Sequence, residues 1–534
     1  MCFQTSLGLS LGTYSLTGHF FVYLVAGQLW TSLTWANPQT GSPARVHLDN
    51  GRQALEGNHF RDAKIQFELA LKADPTLAEA YLQLGTVEFR VEDISSAIQN
   101  FRKYLELQPG SSEGHYRLAL ALLRGQNLSE GCLELERTVS LNPQHVDAAY
   151  NLSVVLLEMG RTDEALRRLK ALPESSRNRP DVAFNLVRAE LAANHLERAK
   201  EEAERGIGHF GDDATWLMGV GQLFLSHHQA KEAIRALEAA FRLQPRSEEI
   251  RRQLAAAYIE AREPGLAVDL LKSATSAEDH YLSASAYLVQ RRLSEAFDQS
   301  QRALKQAPHE PRYLLQQARI TQRLGDHQKC LEILSQISKA QPEWAEPYYS
   351  AGVSYYLLRR YEEARQFLGH ALELDSNSKR ALFLYAASLA NEGRNREGER
   401  YLLRAIALDP SNARFRYHLG AMRLRDNRPA EARQSFEEAI RLRPTYALPH
   451  YQLGKLLVNS NQLAEAVQEL EAAVECQPDL AQAFYHLGRL YARTGDKEKS
   501  ARALERFQQL KKTEASEDQE FQQNLRMEVE QDDR

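Results

Sequence analysis

Apolar residues along this chain recur at helical spacing in short runs, and the runs come in pairs. The stretch AEAYLQLGTVEFR (78–90) sets its apolar side chains three and four residues apart. VED interrupts it, and ISSAIQNFRKYLEL (94–107) resumes the period before Pro109. Two helices, A then B, are predicted. The second stops at the proline, which lacks an amide N–H and restricts the residue before it. A closing proline of this kind stands at Pro75, Pro109, Pro143, Pro245, Pro308, Pro342, Pro410, Pro444 and Pro478, mostly 34 residues or a multiple of 34 apart. Small residues keep the same period: Gly85, Ala97, Phe101 and Pro109 in one unit match Gly420, Ala432, Phe436 and Pro444 in another. The first of these positions falls at 51, 85, 119, 153, 187, 221, 255, 284, 318, 352, 386, 420, 454 and 488, with one irregular step of 29.

Fourteen units over residues 44–514 follow from that register. Small residues at 85 and 97 predict a close approach of helices A and B, with the large residue at 101 filling the gap. No unit buries its apolar face alone, so neighbours must stack into a continuous core. The five missing residues fall after helix B of the unit beginning near 248, which predicts a short helix B and a seam near 272–280.

This 34-residue pattern resembles the tetratricopeptide repeat family: L-G-x-x-Y in helix A, A-x-x-x-F-x-x-A in helix B, and a closing proline. YHLGRLYARTGD (485–496) and YSAGVSYYLLRRYEEARQFLGHAL (349–372) match it closely. The units near 180, 248 and 277 depart most, with Val187, Ala255 and Ala284 in the glycine place. The resemblance implies an all-α fold, a right-handed α-solenoid superhelix of tandem helix–turn–helix repeats. It also implies a concave wall built from helix A, where positions 2, 5, 6, 9, 12 and 13 of each repeat look inward.

On that wall, position 5 is aromatic at Tyr116, Tyr150, Phe184, Tyr281, Tyr349, Phe383, Tyr417, Tyr451 and Tyr485. Such rings either pack between repeats or form a rail for extended peptide. Charged positions mix signs in the early units. The later ones supply Arg312, Arg319, Arg323, Arg380, Arg414, Arg425, Lys455, Arg489 and Arg493 against Glu346 alone. An anionic ligand held by charge-assisted hydrogen bonds is expected there; the plain alternative is a solvated face balanced by acids elsewhere. The two-carboxylate clamp of some relatives is missing, because position 5 is basic only at Arg252 and position 9 is never Asn. Asn151 and Asn185, at position 6, are two adjacent rungs of the kind that grip peptide backbone in related repeat arms.

Length changes meaning under this reading. The 534 residues suggest three or four domains, but the period replaces them with one quasi-linear array. The formal charge of −5 changes meaning too. Residues 515–534 hold seven acids against Arg526 and Arg534, so the acidic tail carries all of it and the body is neutral. That tail could fold back on the basic repeats as an internal mimic of the ligand. The first 44 residues carry no charge, and a run from Phe20 to Ala26 is apolar. Residues 1–43 read as an export signal with cleavage after Ala36, as a single membrane anchor, or as a plain N-terminal arm. Export or anchoring would place the chain on the periplasmic side of a bacterial membrane; without it the chain is cytoplasmic.

Motifs for chemistry are missing from the sequence: no Gly-rich phosphate loop, no H-E-x-x-H and no C-x-x-C. His227-His228 falls in a turn, and Cys330 takes a small core position. No catalytic, metal or cofactor residue is assigned, and nucleic acid is not an expected partner. The expectation is a non-enzymatic protein- or peptide-binding scaffold or adaptor favouring acidic segments in repeats 9–14. The alternative is the substrate-recruiting or regulatory arm of a glycosyltransferase or protease complex whose catalytic domain is on another chain.

Overall fold

The structure, a computed structural model, describes residues 42–273 and 275–513. The expected leader up to residue 41 and the acidic tail at 515–534 lie outside the described residues. All regular secondary structure among the described residues is α-helical: fourteen helix pairs, numbered here as repeats 1–14, and one extra turn in repeat 4. They divide into two compact bodies, repeats 1–7 up to Lys272 and repeats 8–14 from Ser273. Each body is an α-solenoid in which every helix packs on its chain neighbours.

Repeat 2 shows why the residues fold this way. Helix A spans Ala78–Arg90 and helix B Ile94–Leu107, the bounds the apolar period predicts. Asp93 caps helix B, its carboxylate accepting from the Ser96 amide at 3.3 Å. Between the helices, Glu92 is left-handed (φ 63°). The Glu92 and Asp93 amides donate back to the carbonyls of Phe89 and Glu88 at 3.2 and 2.9 Å, closing helix A with a paired 5→2 and 6→1 turn. A residue of positive φ recurs at this place in all fourteen repeats, from Asn58 to Gly495, and only Gly160, Gly325, Gly393 and Gly495 are glycine. All fourteen are exposed. The 34-residue register contains this position, but the residue types there (Asn, Glu, Gln, His, Arg, Gly) give it no common signature.

Helices A and B approach where the small residue stands. A Cβ on Gly85 would lie 2.8 Å from the Phe101 ring, and one on Gly420 2.6 Å from Phe436. Leucine takes the large side at Gly352/Leu368 and Gly454/Leu470. Repeat 5 reverses the sizes: Val187 and Ala203, both buried, stand at the paired positions. Repeat 7 carries the five-residue shortfall in helix B, which is only Pro264–Leu270, seven residues long. Repeat 4 has a break the period does not announce. Its helix B ends at Ala171, Pro173 follows, and a single turn, Glu174–Arg177, precedes repeat 5.

Histidine recurs at position 4 of four repeats and ties helix A to helix B nineteen residues on. His47 meets Gln66 and His280 meets Gln299, both at 2.8 Å. His450 Nδ1 lies 2.7 Å from Glu469 Oε2 and its Nε2 2.9 Å from the Pro444 carbonyl of the preceding repeat. His115 has the equivalent partners, Glu134 and Pro109. Both partners of His450 are acceptors, so both ring nitrogens donate in the imidazolium form. The hydrogen bond to Glu469 raises its pKa above the ordinary value, against an opposing desolvation.

His227 closes helix A of repeat 6, and His228 is the left-handed turn residue. Cys330 is fully buried, which pushes its thiol up to about 11. No helix among the described residues is long and apolar enough to cross a membrane.

Two stability experiments follow from these contacts. Gly85→Ala is expected to cost roughly 1–3 kcal/mol by crowding Phe101. Adding Phe101→Leu should recover most of that loss, because the pair then copies Ala119/Leu135, both fully buried in repeat 3. Urea unfolding of the single and double variants measures this. His450→Ala removes a pair whose folded pKa is raised. Its stabilisation is therefore complete below the unfolded pKa and fades as pH rises through the folded value. The substitution should cost roughly 1.5–3 kcal/mol near pH 6 and clearly less near pH 9; a pH-independent cost would contradict the imidazolium assignment.

Candidate functional site

The residues that the sequence assigns to a ligand-facing wall fall into two groups. In the first, charge is already matched between repeats. Arg312 reaches Glu278 at 3.2 Å and Glu310 at 3.1 Å, while Glu346 takes Arg319 at 2.7 Å and Arg380 at 3.1 Å. Glu278, beside Arg312, and Glu346, beside Arg380, each lie 34 residues back, at the same repeat position. A carboxylate followed by arginine at position 2 of successive repeats is the signal that would have found them.

Arginine also covers the aromatic of the preceding repeat. The Arg312 guanidinium sits 5.8 Å from the Tyr281 ring centroid, Arg380 4.7 Å from Tyr349, and Arg414 5.5 Å from Phe383. Arg414 is itself buried, and Arg323 is half-buried on the same helix as Arg319.

The aromatic rail does not form along the array. Tyr150, Phe184, Tyr281, Tyr349, Phe383 and Tyr451 are buried, and Tyr116 and Tyr417 are half-buried. Their rings fill the space between successive A helices, so packing explains the recurrence; among the nine position-5 aromatics, Tyr485 alone is exposed. The two asparagines are also engaged. Asn151 donates to the Tyr116 hydroxyl at 3.1 Å, and Asn185 to the Tyr150 hydroxyl at 3.0 Å and the Asp181 carbonyl at 2.9 Å. They therefore link repeats, and their donors are not presented to a peptide backbone. Gln316 and Gln322, which sequence reasoning missed, act alike: their amides donate to Ser285 at 2.7 Å and Ser354 at 2.6 Å of a neighbouring repeat.

The second group lies on the A helices of repeats 12–14 (Ala413–Arg425, Ala447–Asn459 and Ala481–Thr494). Arg425, Arg489 and Arg493 are exposed, and Lys455 is half-buried. Lys455 lies 5.1 Å from the Tyr451 ring centroid and Arg489 5.7 Å from that of Tyr485. Arg493 donates to the Asn461 side-chain oxygen at 2.6 Å. None of these four has a carboxylate in ion-pair range among the described residues. His486 lies between the Tyr451 and Tyr485 rings, 5.7 and 5.5 Å between centroids. Burial lowers its pKa first, and the charges of Lys455 and Arg489 lower it further. The surface is thus positive and includes an exposed aromatic ring. No cluster of metal-ligating side chains occurs among the described residues.

Family models described as tetratricopeptide repeat match residues 48–112, 82–131, 134–183, 345–378, 383–447, 423–487 and 482–510, together more than half of the chain. No curated protein matches it. Among solved structures, the chain is similar to the APC/C hetero-tetramer Cut9–Hcn1, with 15% identity, 84% of this chain and 96% of that one covered, and a TM-score of 0.41. Yeast Tom70 is 16% identical over 91% of this chain and 96% of its own, with a TM-score of 0.36. YrrB, described as having an unusual peptide-binding site, is 25% identical over 34% of this chain and 93% of its own, with a TM-score of 0.29.

The positive potential at repeats 13 and 14 can be read at His486. Lys455→Ala and Arg489→Ala should each raise its titration midpoint, with burial keeping the double variant below the ordinary value. Ring-proton NMR titration measures the midpoint. A double variant that titrates like the unsubstituted chain would remove both cations from its surroundings.

Proposed function

The chain belongs to the tetratricopeptide repeat family, and we propose that it is a non-enzymatic protein- or peptide-binding scaffold whose A-helix surface in repeats 12–14 favours acidic segments. One observation carries the acidic preference. Arg312, Arg319 and Arg380 of repeats 9–11 have carboxylate partners and Arg414 lies buried, whereas Arg425, Lys455, Arg489 and Arg493 have no carboxylate in range among the described residues. Lys455 and Arg489 are also held over tyrosine rings, which restricts two long side chains before any ligand arrives. An acidic segment would gain charge-assisted hydrogen bonds there, and the exposed Tyr485 ring offers apolar contact beside them.

The test is fluorescence anisotropy with a labelled Glu/Asp-rich peptide on the full chain at about 50 mM salt, where such contacts are least screened. Lys455→Glu/Arg489→Glu is expected to weaken binding roughly tenfold or more. Unsubstituted affinity should fall as salt rises. Equal affinity in both proteins, or affinity indifferent to salt, would overturn the acidic preference.

A further inference from the structure

A second surface in the body of repeats 8–14 breaks the packing rule of the array. Helix B of repeat 8 (Leu293–Gln306) and helix B of repeat 9 (His327–Ala340) flank a cleft of roughly 730 Å³, with helix A of repeat 9 (Pro311–Leu324) beneath. In other repeats, a large residue on helix B shares an apolar cluster with a residue seventeen positions on: Phe101 with Leu118, Leu135 with Leu152, Phe436 with Leu453. The same register pairs Ser300 with Gln317. Polar side chains thus replace the usual bulky apolar pair, and one of them, Gln317, lines the cleft.

Both residues are deeply buried, Ser300 at 0% and Gln317 at 3% exposure, yet Ser300 Oγ and Gln317 Oε1 have no hydrogen-bond partner. Buried polar atoms ordinarily find partners. Gln317 lines the cleft, and a half-turn of its amide presents either the carbonyl or the NH2 group to it. At the mouth stand Arg302, Lys305 and Lys329 with Asp298 as the one acid, all four exposed. Arg302, Lys305 and Asp298 have no ion-pair partner among the described residues, and Lys329 rests 5.0 Å from the Phe297 ring centroid.

We propose that this cleft binds a small multivalent oxyanion, its carboxylate or phosphoryl oxygens held by Arg302, Lys305 and Lys329 and by the amide of Gln317. Three bases against one acid set the sign of the ligand. The buried amide provides a directional contact that surface lysines alone lack. The site is built from different residues than the A-helix surface of repeats 12–14, so either can fail alone.

Isothermal titration of the full chain with citrate and, separately, inorganic phosphate at fixed ionic strength tests the proposal. One of the two should bind at about one equivalent, and which one does separates a polycarboxylate from a phosphoryl ligand. Lys305→Glu/Lys329→Glu should weaken binding at least roughly tenfold. Ser300→Leu/Gln317→Leu, which restores the apolar pair, should fold with unchanged circular dichroism and lose binding. Lys455→Glu/Arg489→Glu should bind normally. Absence of binding by both anions, binding that survives either cleft variant, or equal loss in the Lys455/Arg489 variant would overturn it.

Discussion

Everything in this array depends on how closely helix A can approach helix B within a repeat. The gap is too narrow for two large side chains, so the residues at positions 8 and 24 are fitted to each other. Glycine faces phenylalanine at 51/67, 85/101 and 420/436, and leucine at 221/237, 352/368 and 454/470. Val187 with Ala203 shows that the pair, and not the glycine, is what is constrained. Because protein interiors are close-packed, a mismatch at this point would rotate helix A and displace the aromatic at position 5 against the next repeat. The close approach within repeats therefore supports the stacking between them.

The stacking brings polar groups of successive repeats together as well. Glutamate and arginine at the same position of adjacent repeats meet as ion pairs, and side-chain amides reach backbone and hydroxyl groups one repeat away. A solenoid has only neighbour contacts to draw on, so the polar contacts between successive A helices fall about one period apart in sequence. Surface character then changes wherever this matching runs out. Among the described residues, it leaves Arg425, Lys455, Arg489 and Arg493 in repeats 12–14 without carboxylates, and between repeats 8 and 9 it leaves buried polar atoms without partners.

The helix bounds were legible because they follow from local physics: the apolar period, the turn and the closing proline determine 78–90 and 94–107 without reference to other repeats. The shortfall in helix B of repeat 7 was legible for the same reason, as missing residues in a fixed register. The roles of the wall residues were less so. Counting charges on one face made Arg312, Arg319 and Arg380 look available, since the count left out Glu278 and Glu310 beside Arg312 and did not show that Glu346 holds two arginines at once. Aromatic recurrence at position 5 likewise fits burial and exposure equally well until the inter-repeat distance is known. The sequence pattern was least informative at Ser300 and Gln317, where two ordinary polar residues matter only through the register that pairs them.

The left-handed residue between the helices gives the repeat a special kind of freedom. Its backbone conformation is imposed by the hydrogen bonds around it, and at ten of fourteen places the chain tolerates a side chain there. Each of these residues is exposed, at the same corner of its repeat. From that corner Glu92 receives Arg124, and Asn461 receives Arg493, of the following repeat. The turns thus form an edge along each body where surface chemistry can be rewritten one residue at a time. The core, which is fitted elsewhere, need not register the change.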